Sequence, residues 1–315
     1  MTSDRVTHRT EPRRLGTLPS GQDLTVTVHR YVGGDGPTVY VQAAQHGIEL
    51  NGPAALRRLH DRLVDSRLAG EVRVVPVANP PAFDHRSYTS PVAYDARSLN
   101  MNRDWPGDES GSFGERLVSR LWPLVVDADA AIDLHTGTPD MLSHVRYAGD
   151  DASQRLATVF GTDYRLVDES EPDASDTTTG KFRIAAVQAG IPAITAELSN
   201  SRTVAPQAAT TGADGVERAL QSLGVLSGSV APADQMELRA SLSPVTAADS
   251  GLFEPAPDVA VGESLTAETQ LGRIYDPASF ELLATPTTDE AGVVYSLARG
   301  TVIAGERVAA LGVPS

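Results

Sequence analysis

Residues 41–56, VQAAQHGIELNGPAAL, join a pattern typical of a β-strand to a pattern typical of an α-helix. The strand-like run stops at Gln45, and the helical pattern begins near Pro53. His46 and Glu49 lie between the two, three positions apart. In open α/β sheets, ligands bind beyond the carboxyl ends of the strands. This junction is therefore a candidate ligand site.

Short apolar runs alternate with helical patterns on both sides of this junction, as far as about residue 225. Such alternation is typical of a largely parallel sheet covered by helices. We predict an α/β fold with a mixed, largely parallel sheet flanked by helices, and we expect Pro123 to kink or shorten one of those helices. The predicted strands are 38–45, 72–79, 130–135 and 192–198, and the predicted helices are 53–68, 114–129, 180–191 and 215–224.

The pattern changes after residues 228–234, GSVAPAD, which have the composition of a linker. Short strand patterns separated by Gly and Pro follow, as in a small β domain. We predict a catalytic domain over residues 1–230 and a C-terminal β domain over 231–315. Residues 168–180, DESEPDASDTTTG, are interpreted as an exposed loop, with a mobile lid as the alternative.

Composition excludes several classes of function. Lys plus Arg number 26 and Asp plus Glu 41, a net charge of −15, which disfavours binding to nucleic acid or anionic membranes. Lys181 is the only lysine; both a salt-loving source and GC-rich coding are consistent with this. Because the chain has no cysteine, a metal must be held by His, Asp or Glu.

The N-terminal sequence has no apolar core like that of a signal peptide, and no apolar run approaches the ~20 residues of a membrane span. The Arg13–Arg14 pair is not followed by a hydrophobic stretch, so a twin-arginine signal is not expected. We expect a soluble, cytoplasmic protein. A homo-oligomer is compatible with the sequence, which does not specify one.

Two further predicted strands end in groups that can bind a metal or move a proton. His135 ends the run AAIDLH, and Glu197 lies at the end of PAITAEL. Catalytic zinc sites often combine two ligands near in sequence with a distant third, and keep a fourth position open for water. We therefore predict His46, Glu49 and His135 as metal ligands. Asp133 shares a strand face with His135 and is the candidate acceptor for its other ring nitrogen.

Each of these residues also has a structural interpretation. An H-x-x-E spacing often arises by chance, His135 could be an ordinary core histidine, and Glu197 could pair with an arginine. His85 and His144 compete for the ligand role. The other histidines are interpreted as exposed or helical-surface residues: His8, His29 and His60.

Five motifs occur in a fixed order between about residues 38 and 200: QHGIELNG, NPPAF, SLNMNRDWPG, DLHTG and IPAITAELSN. Together they resemble the succinylglutamate desuccinylase/aspartoacylase family, a branch of the zinc carboxypeptidase-like hydrolases. The segment GLFEPAPDVAVGESLTAETQLGRIYDP resembles the β domain appended in many members. The resemblance implies a zinc carboxypeptidase-like fold.

The resemblance also implies roles for individual residues. His46, Glu49 and His135 match the ligands of one Zn²⁺ per chain, and Glu197 matches the general base. The family also has two adjacent residues that hold the substrate's carboxylate and an upstream arginine that polarises the scissile carbonyl. Asn102 and Arg103 match the pair; Arg86 and Arg97 compete for the arginine role, with Arg86 preferred for its distance from the N-P motif.

The sequence departs from the family pattern at two places, of which the first is a conservative change and the second concerns the shape of the pocket and hence the substrate. Trp105 replaces the usual phenylalanine, and Ser199–Asn200 stand where glycines are common. The C-terminal pattern is also reminiscent of biotinyl or lipoyl carriers, but these need an acceptor lysine, and Lys181 lies outside that domain.

The expected function is that of a zinc-dependent hydrolase that cleaves the amide bond of a small anionic N-acyl amino acid. The alternatives are a metallocarboxypeptidase acting on short peptides and a non-catalytic binding protein with a degenerate site. If the acidic composition reflects a salty habitat, an N-acetylated diaminobutyrate becomes a candidate substrate.

Overall fold

The structure of the protein is a computed structural model. It describes residues 4–94, 97, 99–137, 140–168, 180–239 and 241–315. Within these ranges, no helix is both long and apolar enough to cross a membrane. Most of the predicted loop, residues 169–179, lies outside the described residues.

A nine-stranded mixed sheet forms the centre of the first part of the chain. Its strand order is β12-β10-β9-β11-β7-β4-β6-β3-β2, while β1 and β5 form a separate two-stranded ladder. In chain order the strands are β1 (Asp4–Arg5), β2 (Thr7–Thr17), β3 (Asp23–Val32), β4 (Thr38–Ala43), β5 (Arg67–Leu68), β6 (Glu71–Val75), β7 (Ala130–Gly137), β8 (Asp140–Met141), β9 (His144–Tyr147), β10 (Tyr164–Val167), β11 (Ala193–Asn200) and β12 (Met236–Leu238).

The middle of the sheet is parallel, as predicted. Strand β4 pairs in parallel with β6 and β7, and β7 pairs in parallel with β11. Antiparallel pairing joins β3 to β2 and β6, and β9 to β11. The carboxyl ends of β4, β7 and β11 therefore meet at one edge of the sheet, where polar groups from separate parts of the chain can converge.

Helices cover both faces of this sheet. On β4, Val39 and Val41 pack in one core cluster and Tyr40 in the other, because successive side chains of a strand point to opposite faces. Apolar side chains of α1, α4 and α6 join the first cluster, and those of α3 and α5 join the second. The helices are α1 (Asn51–Leu63), α2 (Pro80–Asp84), α3 (Phe113–Val126), α4 (Asp151–Phe160), α5 (Phe182–Gln188) and α6 (Pro206–Ser222), with a 3₁₀ turn at Met101–Arg103.

The elements differ from the sequence predictions mainly at their ends. Helix α3 continues through Pro123 to Val126, because a proline in the last turn interrupts few hydrogen bonds. Its start is a capping box, in which Ser112 and Glu115 satisfy each other's backbone N–H groups. The hairpin β2–β3 and helix α4 were not identified from the sequence. Asp168 is buried rather than on an exposed loop, since its carboxylate pairs with Arg183.

The C-terminal part is built of short antiparallel strands, as the sequence predicts. They form two sheets, β13-β20-β18-β15 and β17-β16-β14-β19, around a separate core cluster. The strands are β13 (Ser243–Thr246), β14 (Gly251–Pro255), β15 (Ser264–Leu265), β16 (Gly272–Tyr275), β17 (Leu282–Ala284), β18 (Gly292–Leu297), β19 (Gly300–Val302) and β20 (Arg307–Gly312).

Two strand pairings cross the predicted domain boundary at residue 230. Strand β12 pairs with β10, so the large sheet continues as far as Leu238, beyond residue 230. Strand β8 pairs with β18 of the C-terminal part, and Met141 lies opposite Ser296. The division into two domains at residue 230 remains a prediction, and hydrogen bonding links its two sides.

Candidate active site

The segment between β4 and α1 is held in place by close backbone contacts. Ala44 has a positive φ of 54°, which turns the chain sharply after the strand. The Asn79 side chain donates to the Gln45 carbonyl at 3.0 Å. At Gly47, an added Cβ would lie 2.0 Å from the carbonyl oxygen of Ala82, so only glycine fits there. These constraints fix the direction of the side chains that follow.

Three side chains at the carboxyl edge of the sheet form a buried cluster. The Nδ1 atom of His46 lies 2.8 Å from Glu49 Oε1, and the Nδ1 atom of His135 lies 2.9 Å from Glu49 Oε2. The two imidazole centroids are 5.0 Å apart. The relative exposure of each of the three residues is 5 % or less. The structure therefore brings together the three residues predicted as metal ligands, which are 3 and 86 positions apart in the chain.

The outer nitrogen of each imidazole also has a partner. Asp133 Oδ2 lies 2.7 Å from His135 Nε2, as the shared strand face predicts. Asn100 Oδ1 lies 3.0 Å from His46 Nε2. Gln45 Nε2 donates to Asp133 Oδ2 at 2.6 Å and fixes this carboxylate. Asn100 was not predicted from the sequence, although it stands in the SLNMNRDWPG motif.

The electrostatics keep the central carboxyl ionised. Burial alone would raise the pKa of Glu49, but the adjacent His135 and His46 outweigh it and lower that pKa to about 2. Burial opposes protonation of His135, but Asp133 and Glu49 raise its pKa well above the ordinary value. The Thr136 N–H also donates to Glu49 at 3.0 Å. Charge and hydrogen bonding thus keep the three side chains together.

The donor set fits a divalent metal. One ligand atom from each of His46, Glu49 and His135 lies within 4.8 Å of the others. Two imidazoles and one carboxylate are a common set for catalytic zinc. Carboxylate or amide oxygens on the outer nitrogens orient such imidazoles, and both are present here.

A cavity of about 220 Å³ opens onto this cluster. Asn102, Arg103 and Glu197, all predicted site residues, line it. Arg86 does not: it lines a separate cavity and has a positive φ of 51°. Arg97, the alternative, is not among the lining residues either. Neither candidate for the carbonyl-polarising arginine is thus among the described residues that line this cavity, and that role remains a prediction.

The register between β11 and β7 places Glu197 at the cavity. On β11 it lies opposite His135 of β7 in the parallel pairing. Burial is the main cause that raises the pKa of its carboxyl, and nearby Glu49 acts in the same direction. A carboxylate with a raised pKa is a better proton acceptor at neutral pH than an ordinary one.

The segment of Asn102 and Arg103 is tied to the start of α5. The Asn102 side-chain oxygen accepts the Phe182 N–H at 2.9 Å. Gly180 has a φ of 79°, and a Cβ there would lie 2.1 Å from the Arg103 carbonyl oxygen. Trp105 donates from its ring nitrogen to Gln45 Oε1 at 2.8 Å. The indole therefore links this segment to the residue before His46.

Three more cations line the cavity and were not predicted as site residues: Arg146, Lys181 and Arg183. Asp168 lies 3.4 Å from Arg146 and also pairs with Arg183. Burial, followed by the charge of Arg183, lowers the pKa of Lys181 to about 8. The sequence signal was GKFR at the start of a predicted helix. With Arg103 these residues make the cavity wall cationic.

Comparison with known proteins identifies the family to which this chain belongs. The sequence model described as "Succinylglutamate desuccinylase/Aspartoacylase catalytic domain" matches residues 35–223. The chain belongs to this family. Its members hydrolyse the amide bond of N-acyl amino acids, and the resemblance found in the sequence is confirmed.

Individual relatives agree in sequence and in fold. The chain is 29 % identical over 259 residues to the N-alpha-acetyl-L-2,4-diaminobutyric acid deacetylase of Halomonas elongata, covering 77 % of this chain and 72 % of that protein. The structure matches a succinylglutamate desuccinylase/aspartoacylase from Rhodobacter sphaeroides with a TM-score of 0.82 and 25 % identity, covering 100 % of this chain and 98 % of that one. It matches product-bound EutE, an ectoine utilization protein of Ruegeria pomeroyi, with a TM-score of 0.83 and 24 % identity, over 98 % and 96 %. The predicted fold class is confirmed.

His144, one of the two histidines that compete for the ligand role, lies outside the cluster of His46, Glu49 and His135. His144 is buried, with Nδ1 at 2.8 Å from the Leu142 carbonyl oxygen and Nε2 at 3.0 Å from the Tyr295 hydroxyl. Burial, with the charge of Arg146, lowers the pKa of His144 to about 3. Tyr295 belongs to β18 and also hydrogen-bonds Arg146. The C-terminal part thus supports a residue of the cavity wall.

We expect Asp133→Asn to weaken metal binding by about 10–100-fold, because His135 loses the carboxylate that orients it. The rate of metal loss to a chelator, followed by elemental analysis, measures this. Asp127→Asn, on the exposed end of α3, is the control and should retain metal like the unaltered protein. Equal retention in both variants would contradict a supporting role for Asp133.

Proposed function

We propose that this protein is a zinc-dependent hydrolase that removes the acyl group from a small N-acyl amino acid. The observation that carries the proposal is the buried cluster of His46, Glu49 and His135 beside Glu197 in a cation-lined cavity. Zinc held by these three ligands would act as a Lewis acid towards the amide carbonyl and acidify the attacking water.

Glu197 is proposed as the general base and acid. Its carboxylate would accept the proton of the attacking water and then deliver it to the leaving nitrogen. The raised pKa that burial gives this carboxyl supports both transfers. Its register opposite His135 supports a position next to the reacting carbonyl.

Arg146 is proposed for the role that the sequence suggested for Arg86. Arg146 lines the cavity, and its Nε is a buried donor without a hydrogen-bond partner. Buried donors are rarely left unpaired, so a substrate oxygen is a suitable acceptor. Positive charge there would stabilise the negative charge that develops on the carbonyl oxygen.

Asn102 and Arg103 are proposed to hold the substrate's carboxylate. A planar guanidinium can pair with both carboxylate oxygens. The contacts to Phe182 and Gly180 support a fixed position for this pair. A cavity of about 220 Å³ suits a small molecule better than a peptide, which favours deacylation over the alternative carboxypeptidase activity.

The first substrate to test is N-alpha-acetyl-L-2,4-diaminobutyrate, which the Halomonas elongata relative is named for deacetylating. The panel should include N-acetylaspartate, N-succinylglutamate and short peptides, at low and high salt. We expect the protein to hydrolyse at least one N-acyl amino acid of this panel that has a free carboxylate. The derivative in which this carboxylate is replaced by a carboxamide should be hydrolysed at least tenfold less efficiently, because Arg103 then has no carboxylate to bind. Turnover of peptides alone would favour the carboxypeptidase.

We expect Glu197→Gln to reduce kcat by about 10²–10⁴-fold, because the amide cannot accept the proton. The variant should retain the metal content of the unaltered protein, since Glu197 is not a proposed ligand. Steady-state kinetics and elemental analysis of the same preparation measure the two quantities. Normal turnover in the variant would rule out the assigned role.

Arg146→Gln and Arg86→Gln together locate the cation that polarises the carbonyl. We expect Arg146→Gln to lower kcat by about 10²–10³-fold, the cost typical of losing one stabilising donor. Arg86→Gln should keep nearly full activity, because Arg86 lines a different cavity. The opposite pattern of kcat values would return the role to Arg86.

A further inference from the structure

A second histidine cluster includes His60, which lies in the last turn of α1, whereas the candidate active site precedes the start of this helix. His8 of β2 and His29 of β3 lie on one face of the hairpin, and His60 projects from α1 against them. The ring centroid of His8 lies 5.3 Å from that of His29 and 4.9 Å from that of His60. All three residues are half-buried. The sequence interpretation of these histidines as exposed or helical-surface residues did not identify the cluster that they form.

The spacing of the rings suits one shared ion. One ligand atom from each ring lies within 4.8 Å of the others. His8 Nε2 and His29 Nδ1 are 3.1 Å apart. Two nitrogens on one tetrahedral zinc, at the usual Zn–N distance, are roughly 3.3 Å apart. An N–H···N hydrogen bond between neutral rings has a similar length, so the experiment must separate the two.

Tyr31 gives the cluster the kind of support that metal-binding histidines have. Its hydroxyl lies 2.7 Å from His60 Nδ1. Burial raises the pKa of this hydroxyl, so it remains a neutral partner. If Nδ1 carries the proton and donates it to Tyr31, then Nε2 of His60 presents its lone pair to the other two rings.

The surroundings of His8 and His29 disfavour the protonated form of each ring. Burial lowers the pKa of His8, and the charge of His60 acts in the same direction. Burial also lowers the pKa of His29, with contributions from His8 and His60. The partial exposure of the three rings leaves room for a water as fourth ligand.

We propose that His8, His29 and His60 form a second metal site, which binds one zinc-class divalent ion and fastens the β2–β3 hairpin to α1. Helix α1 begins at Asn51, two residues after Glu49. The same helix therefore connects both clusters. The site would serve stability, since it lies apart from the residues that line the cavity.

The test counts metal ions in four forms of the full chain. Each is stripped with chelator, dialysed against low-micromolar free Zn²⁺ and analysed for zinc. We expect the unaltered protein and the His85→Gln control to bind one ion more than His29→Gln. His46→Ala should keep the ion that His29→Gln loses, which separates this proposal from the one about the active site. Equal zinc content in His29→Gln and the unaltered protein would overturn it.

Thermal unfolding supplies a second readout. In the His46→Ala background, Zn²⁺ should raise Tm, and adding His29→Gln should abolish that shift, because a ligand that binds only the folded state stabilises it. His60→Gln replaces His29→Gln if the latter fails to fold. Binding that requires millimolar Zn²⁺, or a Tm shift unaffected by either substitution, would mean a hydrogen-bonded histidine cluster and no metal site.

Discussion

The Glu49 carboxylate lies between the Nδ1 atoms of His46 and His135, and the rest of the site depends on this arrangement. A buried carboxylate is costly unless it is paired and hydrogen-bonded. The two imidazoles and the Thr136 N–H meet that need. Because Thr136 and His135 belong to β7, the arrangement exists only when β7 is in register with β4.

The parallel sheet explains why this requirement can be met. Strands β4, β7 and β11 are neighbours, so their carboxyl ends deliver three chain segments to one edge. The register that places Glu197 opposite His135 is set by apolar residues such as Ile132 and Ile194, which pair further down the same strands. A slip of one residue would turn both the apolar and the polar side chains to the wrong face. Packing and chemistry are thus fixed by the same alignment.

The sequence indicated the parts of the site that follow from strand ends, and it gave no basis for the parts that depend on loop conformation. His46, His135 and Glu197 follow apolar runs, and parallel topology brings such ends together. Arg86 lies in an irregular segment with a left-handed backbone, where neither period nor spacing fixes a direction. Arg146 enters the cavity from β9, a short strand that the sequence did not reveal. The His8 cluster was missed because it depends on the pairing of two surface strands with a helix.

The net charge of the chain and the charge of the cavity wall have opposite signs. With a net charge of −15, the chain repels an anionic substrate at long range. The cations at the cavity, among them Arg103 and Lys181, act at contact distance. Salt screens exposed charges beyond roughly 10 Å at 0.1 M, while partly buried charges are screened much less. Moderate salt should therefore reduce the long-range repulsion more than the attraction at the site. An acidic surface around a cationic cavity is for this reason better suited to anionic substrates in salty surroundings than in dilute buffer.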